Sequence, residues 1–98
     1  MLITEIKRMN RAAGGHFFDP ATMRGFGSRV LPHTWTGTTR TFFITSEQQD
    51  DEHPRLYTVR VFDSADGSVR THGQWQAYAT TEQAYDAARN AALEDLKR

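Results

Sequence analysis

The sequence predicts an α+β domain: an antiparallel sheet of three or four strands packed against an N-terminal and a C-terminal helix, both on one face. Three patterns carry this. Tyr57, Val59 and Val61 alternate with Thr58 and Arg60, the two-residue period of a strand, and Asp66-Gly67 offers a turn before Val69-Arg70-Thr71. Phe42 and Ile44 alternate with Phe43 and Thr45 in the same way. Tyr85, Ala88, Ala92 and Leu96 recur at helical spacing. The hairpin over residues 56–71 organises the rest, and residues 1–98 make one domain.

The first helix is expected over Leu2 to Ala13, with Leu2, Ile6, Met9 and Ala13 on its inward stripe and Gly14-Gly15 ending it. Lys7, Arg8 and Arg11 crowd its second half, where cations suit the helix dipole. Asp19-Pro20 reads as an N-cap and first residue of one short helical turn, stopped by Gly25 and Gly27. Phe17, Phe18, Met23 and Phe26 are expected to pack this segment onto the sheet. Arg29 to Thr36 is an irregular or edge strand, because Pro32 has no N–H to donate to a ladder. Arg40 to Ser46 carries aromatics on both faces, so it is expected to be central or covered on both sides. Glu47 to Pro54 reads as a solvated loop. Thr80 and Gln83 form a capping box for the last helix, whose alanines allow close approach to a sheet.

Composition narrows the function classes. Hydrophobic residues make up 38% of the chain, so six Phe, three Tyr and two Trp must supply much of the core. No cysteine is present, which removes disulfides and thiolate chemistry and fits a reducing cytoplasm. The opening residues do not read as a signal peptide, so a soluble, cytoplasmic protein is expected. The formal net charge is zero but unevenly spread. Residues 1–45 hold six bases against two acids, and Glu47, Asp50, Asp51 and Glu52 follow with no base among them. A uniformly acidic DNA mimic is excluded.

No constellation for catalysis is visible. None of the four serines lies in a Gly-x-Ser-x-Gly elbow, and His16, His33, His53 and His72 lack the spacing of a zinc site. Asp63 and Asp66 suit turn chemistry better than paired-carboxylate catalysis. The acidic run lacks the alternating ligands and glycine of a calcium loop. No catalytic residue, metal or cofactor is therefore expected. Arginines interleaved with aromatics suggest nucleic-acid binding through a sheet face, with Arg24, Arg29, Arg40, Arg60 and Arg70 beside Phe26, Trp35, Phe43 and Trp75. The element order also matches double-stranded-RNA-binding domains, but the last helix opens on Thr80-Thr81-Glu82-Gln83, where those domains carry lysines. Protein recognition is the favoured reading. Trp35, Arg60, Arg70, Trp75 and Tyr78 are the residue types of interface hot spots, and they form either an exposed patch or part of the core. Glu47, Asp50, Asp51 and Glu52 are the alternative contact, steering a basic partner.

The chain also resembles a family of short phage and mobile-element proteins of unassigned function. The resemblance rests on His16-Phe17-Phe18, Pro20, Thr22-Met23-Arg24, Ser28-Arg29-Val30, Phe43, Ser46-Glu47, Tyr57-Thr58-Val59-Arg60 and Gln76 to Thr80. It implies genomic company more than chemistry. Small proteins of that company are often inhibitors of host defence, anti-CRISPR proteins among them, and act by occupying a partner's surface. The implied partner is a host protein such as a CRISPR effector subunit.

Overall fold

The structure is a computed structural model, and it describes residues 1–24 and 27–98. The elements are α1 (Ile3–Ala12), α2 (Pro20–Arg24), β1 (Arg29–Thr36), β2 (Arg40–Glu47), β3 (Leu56–Asp63), β4 (Val69–Thr71) and α3 (Thr81–Leu96). The four strands form an antiparallel meander in the order β1-β2-β3-β4. This is the expected α+β arrangement. The expected stop at Gly25 and the packing of Phe26 lie outside the described residues.

One feature of the expected layering is corrected. The two long helices lie on opposite faces of the sheet, not on one. The reason is β2, where strand alternation sends apolar side chains both ways. Phe42 and Ile44, with Val59 and Val61 opposite them on β3, bury against Ala84, Ala88, Ala91 and Ala92 of α3. Phe43, with Phe62 of β3, buries against Ile6 of α1. Phe17 and Phe18 complete that second layer: Phe18 stacks on the Phe43 ring at 5.8 Å, and Phe17 meets it edge-on at 6.1 Å. A strand apolar on both faces needs two covers.

Local signals set the element ends. The Thr80 hydroxyl accepts the Gln83 backbone N–H at 3.2 Å, and the Gln83 side-chain Oε1 accepts the Ala79 N–H at 3.1 Å, a capping box displaced by one residue. Pro32 falls on an edge strand, at a shift of register between Val30 and Thr34. Asp19 does not cap α2 with its side chain; one carboxylate oxygen holds His16 Nδ1 at 2.8 Å instead. Both helical stripes are also rotated from their expected settings. Leu2 is 67% exposed while Asn10 is buried, and Leu96 is 54% exposed while Asp95 is buried. In each case a polar side chain goes inward because backbone groups of a turn wait for it there.

Candidate functional site

Strand parity assembles the site. Trp35 lies opposite Phe42, Phe42 opposite Val61, and Val61 opposite Arg70, so these four form one row across the α3 face. Arg40 pairs with Asp63 one step towards the sheet end, on the same face. His72 is two residues beyond Arg70 and continues that face, its N–H donating to Val59 at 2.8 Å. The alanine stripe of α3 sits over β2 and its neighbours, leaving the short strand β4 largely uncovered. A groove opens along that uncovered column.

Two adjoining hollows make up the groove. One, of about 270 Å³, is lined by Arg40, Phe42, Val61, Arg70 and His72. The other, of about 200 Å³, shares Arg40, Phe42 and His72 and adds Glu94 and Asp95 from α3 and Arg98 just after it. The His72 ring stands edge-on to Phe42 at 5.2 Å. Three guanidiniums therefore border one depression. Arg40 Nε is buried with no hydrogen-bond acceptor, and the Asp63 carboxylate is 3.7 Å from it. Arg70 is 59% exposed and 3.8 Å from the same carboxylate. Both separations are ion-pair contacts, too long for hydrogen bonds. The Arg98 backbone N–H donates to the Asp95 carbonyl at 3.3 Å, while its guanidinium makes no hydrogen bond or ion pair among the described residues. The acids nearby are engaged elsewhere: Asp95 accepts backbone N–H groups of the β1–β2 turn, and Glu94 lies 3.7 Å from Lys97.

A second polar cluster lies on the opposite face of the sheet. Glu47 is 0% exposed. Its Oε1 accepts from the Thr45 hydroxyl and, at 2.9 Å, from Arg60 Nη2; its Oε2 accepts from the Thr58 hydroxyl at 2.9 Å. The Arg60 guanidinium lies 5.1 Å from the centre of the Phe17 ring. This corrects the expected loop boundary: Glu47 is the last residue of β2, its carboxylate held by Thr45, Thr58 and Arg60, and the solvated loop begins after it. Within that loop Asp50 accepts from the N–H groups of Glu52 and His53 and from the His53 ring at 2.7 Å. The His53 side-chain hydrogen bond, foremost, holds the Asp50 carboxyl below its ordinary value. Asp51 and Glu52 are exposed.

The residues expected to make a contact patch are thus dispersed. Trp35 is half-buried against Tyr85, ring centres 5.1 Å apart, on the edge strand opposite Arg70. Three strand spacings separate those edges, about 14 Å. Arg60 is on the other face and paired. Tyr78 is half-buried and bridges Tyr57 through both backbone groups, at 2.8 and 3.1 Å. Trp75 is 39% exposed in the β4–α3 connection. Of the set, Arg70 alone lines the groove. Its companions Arg40 and His72 are legible in parity, each two residues from Phe42 or Arg70, whereas Arg98 carries no sequence signal for the site.

A family model matches residues 2–89. The chain belongs to DUF7447, a family of unknown function. The matched span takes in every element of the sheet and most of α3, so the row that floors the groove is part of the DUF7447 region, while Glu94, Asp95 and Arg98 lie beyond it. Neither a curated protein nor a solved structure matches the chain. Among the described residues no group of three or more His, Asp or Glu side chains is placed to hold a metal ion, and no helix is long and apolar enough to cross a membrane.

Proposed function

We propose that this DUF7447 protein is a non-enzymatic protein-binding module that works by occupying a partner's surface. One observation carries the reading: the guanidiniums of Arg40, Arg70 and Arg98 border a groove, and among the described residues none of them has a hydrogen-bond acceptor, Asp63 lying at ion-pair distance only. Arginine donors left open at a surface depression suit recognition of another molecule. The groove holds His72, the neighbouring Thr71 hydroxyl is taken up by Arg60 on the other face, and Phe42 and Val61 form an inert floor. The resemblance to phage and mobile-element proteins supports a narrower version, in which the partner is a host-defence component such as a CRISPR effector subunit and the protein is its inhibitor.

Nucleic-acid binding through an arginine–aromatic sheet face is the second reading, and the layering weighs against it. One sheet face lies under α3 and the other under α1 and the Phe17-Phe18 segment. Affinity capture from a host lysate, followed by size-exclusion chromatography of the eluate, tests the proposal. A protein that co-elutes with the wild type at fixed stoichiometry is the expected result. No stable protein partner, together with sub-micromolar, salt-sensitive binding of single- or double-stranded nucleic acid, overturns it.

A further inference from the structure

We infer that the groove between β4 and the last turns of α3 is a carboxylate-binding site that receives an acidic peptide segment of the partner, with Arg40, Arg70 and Arg98 as its anchoring residues. The inference rests on the protein-binding reading and adds the ligand's chemistry to it.

Three features select a carboxylate. Guanidinium presents paired N–H donors in a planar fork that matches a carboxylate's two oxygens. Arg40 is the deepest of the three: its Nε–H is buried without a hydrogen bond among the described residues, 3.7 Å from the Asp63 carboxylate, and its side chain lines both hollows. The Nε–H is closed to solvent, so an incoming carboxylate meets the outer N–H groups of Arg40, which is half-buried and therefore less hydrated than the exposed tips of the other two. Size is the second feature. A hollow of about 270 Å³ lies below the range of roughly 300–1,000 Å³ typical of cofactor and drug-like ligands, but it holds a side-chain head group. Its neighbour, of about 200 Å³, holds a second.

The third feature is the charge around the rim. Asp63 stands between Arg40 and Arg70, and Glu94 borders the adjoining hollow. A nucleic-acid backbone, charged at every nucleotide, would meet these acids whichever way it ran. A peptide places one or two carboxylates where the arginines are and neutral groups where the acids are. Rim acids of this kind reject continuous polyanions while tolerating local ones. Asp63, poised 3.7 and 3.8 Å from the two arginines, is displaced or shared when the ligand's carboxylate arrives.

The test uses the full chain, a fluorescein-labelled nonapeptide of alternating Glu and Ala, and a labelled fifteen-nucleotide oligothymidine. Anisotropy titrations at low salt should show saturable peptide binding. Arg70→Glu and Arg98→Glu, both at exposed side chains, should each weaken it at least tenfold, whereas Arg11→Glu on the far face should leave it unchanged. No saturable peptide binding, equal loss in all three variants, or tighter binding of the oligonucleotide overturns the inference. Circular dichroism of each variant separates lost binding from lost fold, and Arg70→Gln gives a second, milder charge removal. The two levels of the argument fail differently. A captured protein partner that binds Arg70→Glu and Arg98→Glu as well as the wild type refutes the groove and leaves the protein-binding reading standing; absence of any protein partner refutes that reading itself.

Discussion

The carboxylate of Asp95, in the last turn of α3, accepts the backbone N–H of Thr38 in the β1–β2 turn at 2.7 Å. The same oxygen takes the N–H groups of Thr39 and Arg40, at 3.2 and 3.3 Å. One side chain thereby ties the end of a helix to a turn far away in sequence and orients the residue that lies deepest in the groove. The close fit extends to Gly37, where an added Cβ would stand 2.4 Å from the Asp95 carboxylate.

The first prediction concerns acid stability. Burial acts to raise the Asp95 pKa, but the N–H groups of Thr38, Arg40 and Thr39 and the Arg40 charge outweigh it, and the net shift is downward. A depressed folded-state value means that the stabilisation is present above the unfolded value, about 3.9 for Asp, and lost as pH falls through the lower folded value. Chemical denaturation between pH 7 and pH 2 should therefore show a fall in stability below about pH 4 that is smaller in Asp95→Asn. At neutral pH Asp95→Ala, which leaves three N–H groups unpaired, should cost about 2–4 kcal/mol. An unchanged urea midpoint in Asp95→Ala would show that the turn finds other acceptors.

Glu47 and Arg60 give the second. Their pair is almost wholly withdrawn from water, with Thr45 and Thr58 completing the carboxylate's hydrogen bonds. Removing one member of such a pair strands the other charge, at a cost of about 3–5 kcal/mol. Replacing both by apolar residues of similar size removes the stranded charge. Glu47→Leu and Arg60→Met should each lower stability strongly, and the double variant should be more stable than either single one. The double-mutant cycle from urea unfolding checks this, and additive losses would deny the coupling.

The same pair shows what a sequence can and cannot convey. Alternation identified β2 and β3, and the opposing aromatics Phe42 and Phe43 already called for a cover on both faces of β2. Local chemistry placed the start of α3 at Thr80 and the Asp66-Gly67 turn. The acid at position 47 looked like the first member of an exposed run with Asp50, Asp51 and Glu52, because composition cannot tell a charge that faces solvent from one that faces an arginine 13 residues later. Asp95 and Asn10 were hidden for a related reason. They interrupt apolar stripes, and their partners are backbone groups of distant turns, which leave no side-chain signature. The groove was half legible: parity places Arg40, Arg70 and His72 on one face, but only the position of α3 over the sheet shows that the face is open there.

A third prediction follows from the turn between β3 and β4. Asn10 Nδ2 donates to the Gly67 carbonyl at 2.8 Å, so α1 is stitched to the hairpin. Gly67 has φ of +73°, and a Cβ there would stand 2.6 Å from the Ala13 Cβ and 3.3 Å from the Met9 carbonyl oxygen. Gly67→Ala meets both penalties, backbone strain and overlap, and should destabilise the protein by at least about 1–2 kcal/mol. Asn10→Ala removes the hydrogen bond and strands a buried carbonyl, costing about 1–3 kcal/mol. Thermal melts of the two variants and their combination should show a sub-additive loss, because both act on one contact. Strict additivity would separate the turn from the helix.

The fourth prediction concerns the connection that carries Trp75. Gln76 is the sole non-glycine with positive φ among the described residues, at +56°. It is held there from two sides: its backbone N–H donates to the Thr58 hydroxyl at 2.8 Å, and its side-chain amide donates to the Glu47 carbonyl at 3.1 Å. Left-handed backbone at a residue with a Cβ costs roughly 1–2 kcal/mol, a cost that glycine avoids. The side-chain hydrogen bond contributes a net stabilisation of about 0.5–1.5 kcal/mol. Gln76→Ala keeps the strain and loses the bond, so it should be clearly less stable than the wild type. Gln76→Gly loses the bond and relieves the strain, so its urea midpoint should lie near the wild-type value and above that of Gln76→Ala. If the alanine variant proves as stable as the glycine one, the backbone at position 76 is not strained. The fluorescence of Trp75, which neighbours the substitution, should then report whether the connection has taken a different path.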